Sequence, residues 1–183
     1  MNQELATVTQ NLSDDAQQYL TFSVLNESMA VGILDVDEII EIGDMTRVPM
    51  ANNSIRGVIN LRGNVVPVID LSHRLGGRSL QITRRTCIVL VNFMLDGEPN
   101  TMGMLVDAVN EILTIPGEAI QKTPDFGTDI RQDFIHSMGR IDDEFIILLN
   151  IERVLSLDEL SEVASQRQLT SKLSNMPVDQ SAH

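Results

Sequence analysis

The chain has 183 residues and a net charge of −13; 43% of its residues are hydrophobic, whereas only 3% are aromatic. This length allows one ordinary domain or two small subdomains, and the aliphatic content is ample for a buried core. Nucleic-acid binding is disfavoured, because phosphate groups repel so acidic a chain. The single cysteine, Cys87, excludes an internal disulfide and indicates a reducing compartment.

The amino-terminal segment and the apolar runs together indicate where the protein resides. Residues 1–18 are polar and acidic, and they contain neither the basic nor the apolar segment of a secretory signal peptide. No apolar run reaches the ~18 residues needed to cross a membrane. We therefore expect a soluble, cytoplasmic protein with no direct membrane insertion.

Charge is unevenly distributed along the chain. Residues 1–46 contain nine acids and no Lys or Arg, whereas residues 47–85 contain seven Arg against one acid, a net charge of +6. Residues 86–163 contain fifteen acids against four bases, a net charge of −11. Regions of opposite charge can select different partners. The alternative interpretation is that the Arg side chains are scattered, and solvated or paired.

The first elements in chain order are predicted to form a β-hairpin. Residues 17–25 and 29–34 are strand-like runs, and residues 26–28 between them are typical of a turn. Residues 36–42 follow, with Val and Ile alternating irregularly with acids. Their period is ambiguous between a strand and a helical turn.

A second hairpin is the clearest motif of the first half. Two apolar runs, 57–61 and 65–70, are joined by the turn residues 62–64. Pro67 lacks a backbone N–H, so its strand is expected to be an edge there or to carry a bulge. Asp70 is placed to cap a short helix that follows the second strand.

The second half repeats this order of elements. Strands are predicted over residues 88–95 and 101–105, and residues 106–112 match residues 36–42 in spacing. The closing run 141–151 then aligns with the second hairpin of the first half, with coinciding apolar positions and turns.

A repeat of roughly 70–80 residues built from short strands predicts two related β-barrels that pack together and leave a groove between them. Chance alternation in a Val- and Ile-rich sequence is the alternative, but the order of elements is kept throughout. Apolar residues recur at helical spacing over 151–164, which predicts a terminal helix on the second barrel. The polar ends of the chain are expected to be disordered.

The sequence shows no convergent set of catalytic or metal-binding residues. The three histidines lie far apart, and no phosphate-binding loop, nucleophile motif or zinc motif is present. Residues 142–144 are the one tight acidic cluster, but they lack the alternating oxygen ligands of a calcium loop and fit a solvated hairpin tip. We expect a protein that is not an enzyme and has no cofactor or metal.

Arg62 is the most informative single residue. It lies in a hairpin turn whose equivalent position in the second half is Asp142, so barrel folding does not itself require an arginine there. We expect Arg62 to form a semi-buried ion pair with an acid near Glu38. An exposed turn arginine is the alternative.

Residues 55–71 resemble the signature of the CheW-like domain family. That family favours the run Gly-Val-x-Asn-Leu-Arg-Gly-x-x-(Val/Ile)-Pro-(Val/Ile)-(Val/Ile)-Asp-Leu, and residues 57–71 match each named position. Further agreement comes from residues 31–39, 106–107 and 147–152. The resemblance covers about residues 17–160.

The resemblance implies an all-β fold of two five-stranded SH3-like barrels around a shared core, with short helices and a C-terminal helix. A CheW-like domain is then expected over residues 17–160, with subdomains at roughly 17–85 and 86–157. The remaining segments, 1–16 and 161–183, are predicted to be a disordered tail and a helix end followed by a second disordered tail.

The resemblance also implies a function. Members are chemotaxis adaptors that couple the cytoplasmic tip of methyl-accepting chemoreceptors to the regulatory domain of a CheA-type histidine kinase. The kinase is expected on an apolar surface of the first barrel, whose residues the sequence does not identify. Receptor contact is expected at the inter-barrel groove, through Val36, Glu38, Ile39, Gly57, Asn60, Arg62 and Gly63.

Three other functions compete with this one. A coupling protein of the same fold in a pilus or second-messenger chemosensory pathway is the nearest alternative. An enzyme on a small barrel lacks support without a convergent catalytic set. A nucleic-acid-binding barrel would use aromatic platforms and basic grooves, which this composition does not favour.

Overall fold

The computed structural model describes residues 16–49, 53–123 and 130–155. Two short helices are present there, α1 (Leu71–Arg74) and α2 (Ile151–Val154), with 3₁₀ turns at Ile33–Asp35, Gly117–Ala119 and Gln132–Phe134. The strands are β1 (Gln17–Val24), β2 (Glu27–Gly32), β3 (Val36–Glu41), β4 (Ile55–Leu61), β5 (Asn64–Asp70), β6 (Cys87–Leu95), β7 (Glu98–Val106), β8 (Ala108–Ile115), β9 (Ile120–Gln121), β10 (Ile135–Ile141) and β11 (Glu144–Leu149).

These strands form two sheets. One has five strands in the order β3-β6-β7-β5-β4, and it is built entirely from residues 36–106. The other has six strands in the order β8-β1-β2-β11-β10-β9, so it is built from the chain before and after that segment. The first sheet is therefore an insertion between β2 and β8 of the second.

The subdomain boundary expected between residues 85 and 86 does not separate the sheets and is corrected by this topology. The β6–β7 hairpin belongs to the second half of the sequence, but it pairs with β3 and β5 of the first half. The β1–β2 hairpin likewise pairs with β8 and β11. Each barrel thus combines one hairpin with the remaining strands of the other repeat.

Both sheets close on themselves in the same way. In the five-stranded sheet Thr46, which follows the edge strand β3, exchanges backbone hydrogen bonds of 2.9 and 2.8 Å with Val58 of the opposite edge strand β4. In the other sheet Gln121 of β9 pairs with Met138, which is equivalent to Val58. The two-residue β9 is thus the counterpart of this closing bridge, and the predicted all-β fold of two five-stranded barrels is confirmed. We call them the five-stranded and the six-stranded barrel after their sheets.

Two small features show how closely the repeats agree. The β4–β5 register shifts at Arg56, and the β10–β11 register shifts at His136. Asp70 accepts a hydrogen bond from the His73 backbone N–H at the start of α1, and Asn150 caps α2 in the same manner. The predicted cap at Asp70 is therefore confirmed.

Alternation along the strands supplies three apolar clusters. In β6, Ile88 and Leu90 point into the five-stranded barrel, whereas Val89 and Val91 point into the shared core between the barrels. Phe22 of β1 lies in that shared core, fully buried. Leu148 belongs to the smaller interior of the six-stranded barrel. The shared core ties the two barrels into one body.

A cross-barrel contact near α2 reinforces this packing. Arg74 at the end of α1 donates from Nε to the carbonyl oxygen of Val154 at 2.7 Å, which satisfies the C-terminal end of α2. The Arg74 guanidinium also lies 4.5 Å from the centroid of the buried Phe134 ring, at stacking distance. Both contacts join the five-stranded barrel to the six-stranded one.

Several local expectations are settled by these strands. Residues 36–42 form a strand, β3, through Glu41. The first turn lies at Leu25 and Asn26, both with positive φ, so the expectation of 26–28 is corrected. β2 ends at Gly32, and the expected continuation is a 3₁₀ turn. Pro67 pairs only with β4, since the pairing of β5 with β7 begins at Val68, so the local edge is confirmed.

The ends of the chain lie largely outside the description. The residues before Ala16 and after Leu155 are not among those described. The expected disorder of both tails concerns these residues, as does the expected continuation of the C-terminal helix to residue 164. The expected start of that helix at Ile151 is confirmed. Within the described ranges, no helix has the length and apolar character needed to span a membrane.

Candidate functional site

The turn between β4 and β5 presents Arg62. Its two central residues, Arg62 and Gly63, have φ of 52° and 86°, which gives the tight hairpin turn that suits the twist of paired strands. Glycine adopts this backbone at no steric cost, whereas arginine does not. The Asn60 side-chain oxygen accepts the Gly63 backbone N–H at 2.9 Å and stabilises the turn.

Arg62 reaches Glu38 across the closed barrel. Its Nη2 lies 2.8 Å from Oε2 of Glu38, so the expected ion pair is confirmed. The side chains are 73% and 36% exposed, respectively, so the expectation of a semi-buried pair is corrected: water competes with this contact. A pair this exposed contributes ~0–1 kcal/mol to stability.

The β3 strand places Glu38 opposite the turn because the sheet closes. β3 and β4 are the two edges of the five-stranded sheet, and closure brings one edge beside the other. Ile39, the next residue, is 43% exposed and lies on the opposite face of β3 from Glu38, because successive side chains of a strand alternate. Val36 is half-buried and packs on the shared core. β3 thus contributes Glu38 to the ion pair, whereas its apolar residues Val36 and Ile39 lie elsewhere on the strand.

Gly57 has a different position from the other expected residues. It is buried near the start of β4, roughly 10 Å along the strand from Asn60. A Cβ added at Gly57 would lie 2.7 Å from the carbonyl oxygen of Thr46 and 2.7 Å from Cγ of Met45. The structure therefore brings Glu38, Asn60, Arg62 and Gly63 together, whereas Gly57 contacts the closing segment.

Asp70 is a buried carboxylate behind β4. The sequence predicted only its role as a helix cap. The Asp70 side chain is 2% exposed and lies 3.2 Å from Nη1 of Arg56. It also accepts the backbone N–H of Leu80 at 2.8 Å and that of His73 at 3.2 Å. Arg56 donates in addition to the Leu80 carbonyl oxygen at 3.0 Å. Asp70 therefore joins β4, β5, α1 and the loop before β6.

A groove lies between the barrels, where one was expected from the sequence, but its lining differs from the residues expected there. Its cavity volume is about 520 Å³, and its lining includes Leu34, Asp35, Phe93, Met94, His136 and Glu152. None of the seven expected receptor-contact residues lines it. The two acids are 117 positions apart in the chain (35 to 152), so no local pattern joins them.

Charge in this groove is unbalanced. Burial raises the pKa of the Asp35 carboxyl, and the nearby Glu152 carboxylate raises it further. Among the described residues, no base forms an ion pair with either acid. By contrast, the hydrogen bonds from Arg131 lower the pKa of Asp133, which lies on the surface. Both acids are exposed to solvent in this groove, and among the described residues neither forms an ion pair.

The arrangement is suited to binding. Within residues 16–49, 53–123 and 130–155, no three His, Cys, Asp or Glu side chains are placed to hold a metal ion. What the described surface does present is an exposed ion pair at the closure of one barrel, several exposed apolar side chains, and a groove between the barrels whose lining includes two acids. These are features of a two-barrel interaction module.

Comparison with known proteins identifies the family. The family model for the CheW-like domain matches residues 18–159, and the chain belongs to this family, the CheW family of chemotaxis scaffold proteins. Chemotaxis protein CheW of Klebsiella aerogenes is 31% identical over 160 residues, which are 87% of this chain and 94% of that protein. Probable chemotaxis protein CheW of Rhizobium etli is 33% identical over 160 residues, which are 87% of this chain and 100% of that protein.

A solved structure agrees with the same assignment. The crystal structure of scaffolding protein TtCheW from Thermoanaerobacter tengcongensis is similar with a TM-score of 0.69 at 29% sequence identity. The similarity covers 78% of this chain and 90% of that one. The resemblance inferred from the signature at residues 57–71 is therefore confirmed, and with it the two-barrel fold.

Proposed function

We propose that this chain is a chemotaxis adaptor that couples methyl-accepting chemoreceptors to a CheA-type histidine kinase. In this role it acts in the cytoplasm, has no catalytic activity of its own, and binds both partners through protein surfaces. The observation that carries the proposal is the family match over residues 18–159, which spans both barrels. The chemotaxis relatives named above are matched over 94% and 100% of their length, so the likeness concerns whole proteins.

The receptor is proposed to bind the surface around the closure of the five-stranded barrel. We call this the receptor-contact surface. Its Glu38–Arg62 pair is exposed and adds little to stability, which leaves both charges accessible to a partner. Ile39, exposed on the opposite face of the same strand, is the apolar residue proposed to contact the partner. Residues assigned to it are Val36, Glu38, Ile39, Asn60, Arg62 and Gly63, and Gly57 is buried against the closing segment that supports it.

Co-sedimentation tests the proposal directly. The full chain is mixed with membrane vesicles that carry a full-length methyl-accepting receptor, with and without the kinase. We expect the chain to pellet with the vesicles, and the kinase to pellet in larger amount when the chain is present. A chain that stays in the supernatant, or a kinase whose sedimentation does not depend on the chain, contradicts the proposal.

Arg62→Ala should separate binding from folding. Removal of an exposed ion pair should change the free energy of unfolding by less than ~1 kcal/mol. Truncation of a contact residue at the centre of an interface should weaken receptor binding by about tenfold or more. Thermal melting and co-sedimentation measure the two effects on the same preparation.

The matched control for this variant is Arg140→Ala. Arg140 forms an exposed pair with Asp143 at 2.9 Å beside the equivalent hairpin of the six-stranded barrel. The Arg140→Ala variant should have the melting temperature and the receptor binding of the unmodified chain. If Arg62→Ala binds the receptor as well as the control does, Arg62 is not part of the receptor-contact surface.

Receptor and kinase should bind at the same time. Coupling requires a ternary complex, and a specific interface covers ~800 Å² on each partner, so two barrels offer room for two separate surfaces. A receptor fragment is titrated into a preformed complex of the chain with the kinase regulatory domain. We expect a ternary complex; stoichiometric release of the kinase fragment would show a shared site and a competitive switch.

A further inference from the structure

Two long connections meet at one end of the five-stranded barrel. β3 ends at Glu41 opposite Cys87, the first residue of β6, and β5 ends at Asp70 beside Leu105 of β7. The connections 42–54 and 71–86 therefore leave the barrel at the same end. We call it the basic end, because these connections and the start of β4 contain, besides Arg74 that contacts α2, the residues Arg47, Arg56, Arg78, Arg84 and Arg85.

The exposed charge of the basic end is positive. Within the described ranges, its exposed arginines that form no ion pair are Arg47, Arg78, Arg84 and Arg85. Two exposed acids of the described chain lie there, Glu41 and Asp44. The other acids at this end are engaged, since Asp70 is buried with Arg56, and Asp107 accepts a backbone hydrogen bond from Leu25. A positive surface on a chain of net charge −13 attracts acidic segments.

A cavity of about 510 Å³ opens at the basic end. Both Arg47 and Arg56 line it, as do Asp44 and the buried Asp70. Its apolar lining is Ile42, Met45, Ile55 and Ile82, and Ile82 is 52% exposed. An apolar cavity beside unpaired arginines suits a segment that carries both apolar and acidic side chains.

The sequence directly after the described chain has this composition. Residues 156–163 read Ser-Leu-Asp-Glu-Leu-Ser-Glu-Val, with three acids, three large apolar residues and no Lys or Arg. The described chain reaches Leu155 beside α1, where the Val154 carbonyl oxygen accepts Nε of Arg74 at 2.7 Å. Arg78 is four residues beyond Arg74, so their Cα atoms are at most about 14 Å apart. Eight extended residues span about 26 Å, so the basic end is within reach of this segment.

We propose that residues 157–163 fold back onto the basic end of the same chain, with Asp158, Glu159 and Glu162 against its exposed arginines and Leu157 and Leu160 over the cavity. This inference does not depend on the proposed function. The same chain is favoured over a second copy or a separate acidic protein, because the short connection from Leu155 gives the segment a high effective concentration at this surface. An acidic partner then reaches the basic end only by displacing the segment.

Hydrogen–deuterium exchange of the full chain tests this contact. The variant Asp158→Lys/Glu159→Lys places positive charges opposite the arginines, so the protection factors of amides 75–86 should fall by about fivefold or more. The variant Arg78→Glu/Arg84→Glu should lower the protection of amides 157–163 by a similar factor. The two pairs of changes combined should bring both regions back within about twofold of the unmodified chain, because opposite charges face each other again. High salt should weaken the protection of the unmodified chain.

The matched control is Glu98→Lys/Glu118→Lys. It reverses the same number of exposed acids away from the basic end, so it accounts for the change in net charge. Protection of amides 75–86 in the control should stay within about twofold of the unmodified chain. An equal fall in the control and in Asp158→Lys/Glu159→Lys overturns the inference, because net charge alone would then explain the effect.

Other results separate this placement of the segment from its alternatives. Unchanged protection of amides 75–86 in Asp158→Lys/Glu159→Lys, or no recovery in the combined variant, overturns the inference. A fall confined to α2 and β10 also overturns it, since the segment would then pack on the six-stranded barrel. Protection that is lost on dilution of the unmodified chain would assign the contact to a second copy and overturn the placement within one chain.

Discussion

Asp70→Ala should lower the free energy of unfolding by about 3–5 kcal/mol, because it removes a buried carboxylate that pairs with the half-buried Arg56 and accepts two backbone N–H groups, and it leaves these partners unmatched. Arg56 would lose its counter-ion, and the buried N–H of Leu80 would lose its acceptor, with no described side chain positioned to replace either. For a protein of this size the loss corresponds to a fall of roughly 6–20 °C in melting temperature.

Thermal and urea unfolding of Asp70→Ala measure this loss. Asn150→Ala is the matched control, since Asn150 caps α2 as Asp70 caps α1 but makes no ion pair. Loss of a cap alone should cost about 1 kcal/mol. If the two variants are destabilised equally, the Arg56 and Leu80 contacts of Asp70 contribute nothing beyond the cap, and its role as a junction is rejected.

Local features of the fold were predictable because their causes are local. The turn at Arg62 and Gly63 follows from a glycine between two apolar runs, and the cap at Asp70 follows from a short acid at a strand end. Strand alternation likewise predicted which stretches would pair with a neighbour. Such signals lie within a few residues of the structure that they determine.

The pairing of distant strands was not predictable in the same way. Alignment of the halves shows that two hairpins are equivalent, but either hairpin can complete either barrel with the same apolar pattern. The structure places the β6–β7 hairpin with β3 and β5, so residues 36–106 form one barrel. No single residue determines which hairpin completes which barrel, because this depends on the length and course of the connections.

In the candidate site, too, contacts between neighbouring segments were predictable and contacts between distant segments were not. The pair between Arg62 and Glu38 was expected from the sequence. Barrel folding does not require an arginine in that turn, so a partner carboxylate explains its presence, and acids lie nearby in residues 36–42. The groove between the barrels was expected, but its lining by Asp35 and Glu152 was not, because these two acids are brought together only by the packing of one barrel on the other. Contacts within a barrel were thus accessible to reasoning from sequence, whereas contacts between barrels were not.

Gly57→Ala should destabilise the five-stranded barrel by about 2–4 kcal/mol, through overpacking and the loss of backbone hydrogen bonds. The added Cβ would lie 2.7 Å from the Thr46 carbonyl oxygen, and this oxygen accepts the Val58 N–H at 2.8 Å in the closing bridge. Relief of the clash must therefore move the backbone and open the closure. Because closure brings Arg62 to Glu38, receptor binding should fall together with stability.

The control for this variant is Gly43→Ala, because a Cβ added at Gly43 meets nothing within 4 Å. A further variant, Gly57→Ala/Met45→Ala, removes the side chain nearest to the added Cβ and leaves the backbone oxygen in place. Melting curves and receptor co-sedimentation should show no rescue by the Met45 change. Full rescue would mean that only the Met45 side chain obstructs the added methyl group, and Gly57 would then not guard the closure of the barrel.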